Sequence, residues 1–325
     1  MNPAFSVIFL TTLIGAAQGL FLALMAGQIY SDMGVLVEAD EKLFFTYGTA
    51  IITVLMILGL LASFFHLGRP ERAWRTATKW KTSWLSREVI VLPAFTMMAV
   101  LWGVLHYKGI NPVVFSPTDT VHISLTMVVG LMTAGLAMLL YLCTAMIYAA
   151  VKFIQEWANP LTVVNYTMLG MASGFTLSAA LASWLGFEST FYYANWAIFL
   201  TLIGFMTRLA SLYRNAHIKL KSNAQSAIGI RHPMIRQTSQ GAMGGSFNTR
   251  EFFHHKTDAV VKSIKWFFIV TVFIIPVGLL ILGVSQDNAT VFILAFAVQY
   301  IGLLAERWFF FAQARHPQNI YYAAT

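Results

Sequence analysis

Scarcity of cysteine and of charge sets the first limits on this protein. Cys143 is the single cysteine among 325 residues and lies within an apolar run. It allows no internal disulfide, and the four thiolates of an iron–sulfur cluster would have to come from another polypeptide. Charged residues make up 10% of the sequence and hydrophobic ones 58%. A soluble domain is about a quarter charged, so a bilayer is the expected solvent. Basic residues are missing from the start of the sequence, where Lys42 is the first. The opening apolar run therefore lacks the positive flank of a signal peptide and reads as a retained helix. Phosphate loops, nucleophile elbows and dinucleotide fingerprints are also missing. The 21 Lys and Arg outnumber 13 Asp and Glu, a net charge of +8. In a membrane protein this excess is read leaflet by leaflet, which removes nucleic acid as a partner.

Apolar stretches are abundant. Eight of them, at 7–29, 45–66, 88–107, 122–150, 164–186, 190–213, 265–284 and 289–311, approach the roughly 20 residues that cross a bilayer. They predict an all-α integral membrane protein, a single membrane domain over 1–325 built as an eight-helix bundle. Eight crossings put both termini and the loops 67–87, 151–163 and 214–264 on one side, A, and the other loops on side B. Side A, with the helix ends nearest it, then holds 19 basic and 6 acidic residues, a net +13, whereas side B holds 2 and 7, a net −5. By the positive-inside rule side A, with both termini, is expected to be cytoplasmic. An odd number of helices would scramble this split.

Small residues line two helices: Gly15 and Gly19 in the first, and Gly170, Gly174, Ser178, Ala182 and Ser183 in the fifth. Such rows let backbones approach in lipid, so a helix–helix seam is expected rather than a slot for a flat ligand. The 51 residues from 214 to 264 are too many for a simple connector. The segment is basic, contains the flexible run Gly241–Ser246 and ends with aromatic residues. It is expected to dock a partner through Arg250, Phe252 and Phe253, helped by Arg75 in the 67–87 loop. A tether lying on anionic lipid is the alternative.

Chemistry concentrates between the second and third helices. His66 closes one helix and Glu88 opens the next on the same side, so both are expected just inside the interface. That depth suits a quinone headgroup, whose reduction takes two electrons and two protons. An imidazole titrating near neutral pH can exchange a proton with a quinone oxygen, and a carboxylate can relay it. Arg69, Arg72 and Arg87 favour anionic forms, and Trp74 and Trp84 are placed to flank the ring. An ordinary interfacial loop of arginines and tryptophans has the same composition. Arg208, Glu306 and Arg307 lie inside apolar runs near side A and are further candidates, with a purely structural Arg208–Glu306 pair as the alternative. His106 and His122 end the third helix and begin the fourth on side B, too shallow for a favoured pair of haem ligands.

The motifs His-Leu-Gly-Arg-Pro-Glu-Arg-Ala-Trp at 66–74, Ser-Trp-Leu-Ser-Arg-Glu at 83–88 and Glu-Arg-Trp-Phe-Phe-Phe-Ala-Gln-Ala-Arg-His at 306–316 resemble the membrane-anchor subunits of dimethyl sulfoxide reductase, the DmsC family. The resemblance implies a multi-pass anchor in the bacterial inner membrane, without haem, that binds ubiquinone or menaquinone through residues corresponding to His66 and Glu88. It also implies two partners: a catalytic subunit with molybdenum bis-pterin guanine dinucleotide and a ferredoxin-like iron–sulfur subunit. The opening residues 2–10 and the stretch 244–254 resemble the branch of the family whose complexes oxidise sulfite. Side A's positive charge agrees with catalysis in the cytoplasm, as that branch implies, and departs from the external catalysis of familiar dimethyl sulfoxide reductases. Quinol oxidation for a sulfoxide or polysulfide reductase is the alternative, followed by a transporter or a purely structural anchor.

The topology is testable by accessibility. With Cys143 replaced by serine, a Gln240→Cys variant in intact cells should react with a thiol reagent only after the reagent gains entry to the cytoplasm. Labelling by an impermeant reagent from outside would invert the assignment.

Overall fold

The computed structural model describes residues 1–36, 41–65, 67–116, 123–219, 223–235, 251–317 and 319. Among these described residues, eight helices are long and apolar enough to cross a bilayer. They are α1 (Phe5–Asp32), α2 (Glu41–Phe64), α3 (Trp84–Lys108), α4 (Leu125–Ala149), α5 (Pro160–Leu185), α6 (Thr190–Ala216), α8 (Asp258–Gln286) and α9 (Ala289–Ala312), with a short α7 (Ala224–Ile228) outside the bundle. The expected eight-helix plan is therefore present.

Local chemistry explains where the ends depart from the hydropathy. Ser83 accepts a hydrogen bond from the Ser86 amide at 3.3 Å and caps α3. This cap starts the helix at Trp84 and moves Glu88 into its second turn. Thr257 caps α8 in the same way, so that helix begins at Asp258 and takes up part of the expected 214–264 loop. The residues before α3 are not irregular either, since Pro70–Lys79 winds as a tight 3-10 helix beginning at its proline. On side B, Val113–Phe115 pairs antiparallel with Ile123–Ser124, a two-strand ribbon too short to stand out in the sequence.

α1 and α5 form the centre. In each, 67% of the most apolar window is buried, against 33–44% in the other six. Their expected seam is realised at the glycines. A Cβ on Gly19 would lie 2.1 Å from the Gly170 carbonyl oxygen, and one on Gly174 would lie 2.0 Å from the carbonyl carbon of Gly19. Only glycine permits this approach. Around the pair run α2, α3, α4, α6 and α9, with α8 against α9. Phe21, Phe95, Trp102, Phe44 and Tyr193 fill the core, while Leu58, Leu61, Met97, Met132, Phe199, Met206 and Ile274 face outward as an apolar belt.

Hydrocarbon offers no water to an orphaned backbone group, and α8 shows how one is met. Pro276 has no N–H to give the Val272 carbonyl four residues earlier, and Val270–Ile274 widens into a π-turn. Gln299 of α9 donates to that carbonyl at 3.4 Å and to Thr201 Oγ1 at 3.2 Å. Met1 lies beside the end of α9, where its amine donates to the carbonyls of Ala312 and Ala314 at 3.3 and 3.0 Å.

Candidate functional site

Glu88 does not face the loop that precedes it. It is 9% exposed and points into the bundle, where Thr144 Oγ1 of α4 donates to its Oε1 at 2.5 Å. Beside it lies a cavity of about 20 Å³, lined by Thr11, Gly15 and Gln18 of α1, Glu88, Tyr141 and Thr144, Tyr166 and Gly170 of α5, and Arg307 of α9. This is room for about one water molecule among several polar partners. It is far too small for a quinone ring. Tyr141 donates to the Gly15 carbonyl at 2.6 Å, which fixes one wall.

Charge is buried behind that cavity. Arg208 Nε of α6 lies 2.8 Å from Glu306 Oε1, and Arg307 Nη2 lies 3.7 Å from Glu306 Oε2. The expected Arg208–Glu306 pair is thus present. All three residues are 5% exposed or less. The Arg307 guanidinium lies 3.7 Å over the Tyr166 ring, and Arg208 lies 5.5 Å from the Phe268 ring. In a low-dielectric interior, isolated charges are far more costly than paired ones. Two guanidiniums around one carboxylate leave one positive charge, and Glu88 is the acid on the facing wall of the cavity.

The other expected site residues are spread over side A. His66 lies outside the described residues, but Phe64 and Phe65 before it are exposed, Phe65 by 87%. Arg69, Arg72, Trp74 and Arg75 stand at or beside the 3-10 helix, with Arg75 5.6 Å over the Trp74 ring. Arg87 donates to the carbonyls of Trp80 and Lys81 at 2.9 and 2.8 Å and lies 4.2 Å over the Trp84 ring. It therefore clamps the end of the 3-10 helix onto α3. Trp84 packs half-buried against the core, whereas Trp74 is 67% exposed, so the two indoles occupy different environments.

Arg250 lies outside the described residues. The aromatics after it turn inward: Phe253 is buried, and Phe252 stacks on His316 with ring centres 3.8 Å apart. Both line a side-A cleft of about 890 Å³ between residues 152–156, the start of α8 and the residues beyond α9. Desolvation lowers His254 and His316 in that cleft below the usual histidine range. On side B, His106 packs 4.4 Å from Trp102 and 4.6 Å from Phe45, while His122 lies outside the described residues.

Tyr141, Thr144, Tyr166 and Gln18, the neighbours of Glu88, were not among the sequence candidates. A signal existed in α4, where Tyr141, Thr144 and Tyr148 recur at i, i+3 and i+7 and mark a polar stripe on an apolar helix.

The helical bundle thus gathers its buried ion pairs at one end, near the 3-10 helix and its arginines. The chain belongs to the family described as DMSO reductase anchor subunit (DmsC), which matches residues 1–311. It is thus a multi-pass protein of the bacterial inner membrane and part of an oxidoreductase complex. Over 323 residues, 99% of each sequence, it is 50% identical to the C subunit of the sulfite dehydrogenase of Allochromatium vinosum. It is also similar to the C component of the anaerobic dimethyl sulfoxide reductase of Haemophilus influenzae, at 28% identity over 131 residues, which span 40% of this sequence and 43% of the other.

The buried charges give a stability test. Glu306→Ala should cost about 3–5 kcal/mol, because Arg208 is left buried without its partner. The double replacement Arg208→Met, Glu306→Leu should cost less than half of that. Reversible unfolding of the purified protein in mixed micelles measures both, and equal losses would contradict the pairing.

Proposed function

We propose that this protein is the quinone-reducing anchor of a heterotrimer in which a molybdopterin subunit oxidises sulfite in the cytoplasm and a ferredoxin-like subunit passes the electrons on. Both partners dock on side A, which is cytoplasmic and contains the termini. A quinone supplies the two-electron, two-proton chemistry at the membrane edge near His66. The reading rests chiefly on Glu88, the acid that the resemblance assigns to the quinone site, which is buried under the basic 3-10 helix beside a cavity of water size. Identity of 50% along the whole sequence to a sulfite dehydrogenase subunit supports sulfite as the electron source.

Each residue then has a role its position allows. The cavity cannot take the ring, so the headgroup approaches from the lipid-facing flank by Phe64 and Phe65, where an apolar tail finds hydrocarbon. His66 exchanges a proton with a quinone oxygen, and Glu88 holds the next proton on the inner side. Arg69 and Arg72 bring positive charge to the mouth, and Trp74 and Trp84 border the approach. Arg87 holds the 3-10 helix in place, and Arg75 is exposed for the partner. Phe252 and Phe253 shape the large cleft from within, and Arg250 is a further docking residue for the partner.

Electron flow in reverse, from quinol to a sulfoxide, is the second reading, and the partial similarity to a dimethyl sulfoxide reductase component supports it. A transporter is disfavoured because such sites collect polar groups near the midplane, whereas Glu88, Arg208, Glu306 and Arg307 all lie within a few turns of side A.

In the purified complex, His66→Ala and Glu88→Gln should each lower sulfite-dependent quinone reduction by about 100-fold, the range of a lost acid–base group. Sulfite oxidation with an artificial dye should continue. Unchanged quinone turnover would refute the site.

A further inference from the structure

We propose that Arg307 is a positioning residue for Glu88, holding it ionised across the inner cavity so that it can accept a proton; this deepens the quinone-site reading and rests on it. Glu88 and Arg307 line the same small cavity from α3 and α9, and both are 9% exposed or less. Among the described residues, Arg307 Nε has no hydrogen-bond partner, and the one carboxylate contact of this guanidinium, with Glu306, is a loose 3.7 Å. Glu306 makes the closer contact with Arg208, at 2.8 Å. Arg307 is thus the guanidinium that Glu306 holds less closely, and Glu88 has no cation in contact among the described residues. The cavity that they share has room for about one water.

Other groups facing Glu88 do not replace this pairing. α4 contributes the phenols Tyr141 and Tyr148 and the thiol Cys143, and α5 contributes the phenol Tyr166, side chains that ordinarily carry no charge at pH 7. α1 offers only the neutral Thr11, Thr12 and Gln18, while Arg87 on α3 is turned to the 3-10 helix. Tyr166 lies beneath the Arg307 guanidinium at 3.7 Å and fixes its reach. The cation is therefore held in place, while the carboxylate can change its proton.

The test reads Glu88 without relying on quinone turnover. In the purified complex, the infrared carboxyl band assigned by its loss in Glu88→Gln reports the protonated fraction. At pH 7, Arg307→Gln should raise the ratio of protonated to ionised Glu88 by about tenfold or more, the effect of losing a neighbouring opposite charge. Arg307→Lys, which keeps the charge, should change it by less than about threefold. An unchanged ratio in Arg307→Gln overturns the proposal. If that variant does not assemble, a tenfold change in Arg307→Lys overturns it instead. Quinone turnover measured on the same samples judges the site reading separately. A band that responds while Glu88→Gln leaves turnover intact would keep the coupling and refute the quinone role.

Discussion

The contact between α1 and α5 governs the interior. Gly19 meets Gly170 and Gly174 so closely that no Cβ fits at either crossing, which brings two helix backbones together at the centre of the bundle. Lipid tails are as apolar as the side chains, so the stabilisation comes from this close fit rather than from expulsion of water. Toward side A, the seam sets Gly15 and Gln18 opposite Tyr166, Gly170 and Ser173, and a small gap remains between them. Glu88 and Arg307 enter that gap from helices that do not form the seam. The polar chamber is therefore a by-product of how the glycines pack, and its small size limits it to water.

Hydrocarbon also dictates where charge can reside. Near side A, Arg208, Glu306 and Arg307 form one buried ionic cluster, and Glu88 lines the small cavity that Arg307 also lines. Deeper in the bundle Gln299 serves the Val272 carbonyl near Pro276, and Gln28 links Thr126 and Trp102. This gradient gives the anchor a polar, titratable end under its basic loop and a plain apolar body below. A one-sided proposed redox site follows naturally from such an arrangement, whereas a path across the membrane would need ionisable groups further down.

Much of the fold was legible in the sequence because hydropathy and the distribution of Lys and Arg report directly on the solvent. The Gly15–Gly19 and Gly170–Gly174 rows were read as a seam, and the Arg208–Glu306 pair could be anticipated from two charges at matching depth. Helix ends were less legible where a cap overrode hydropathy, as Ser83 and Thr257 do for α3 and α8. The direction in which Glu88 points was not legible at all. Its position in the sequence ties it to the 67–87 loop, but its carboxylate is claimed by Thr144, 56 residues away, and only tertiary packing decides that. The inward packing of Phe252 and Phe253 is not legible either, since exposed and inward-packed aromatics have the same composition.

The central claim is that the quinone reaches the bundle at the side-A junction of α2 and α3, outside the chamber that contains Glu88. Photolabelling of the purified complex with an azidoquinone, followed by peptide mapping, tests it most directly. The account predicts label within residues 57–90 that sulfite-dependent reduction of excess quinone competes away. Label confined to the side-B ends near His106 and Thr126 would contradict it.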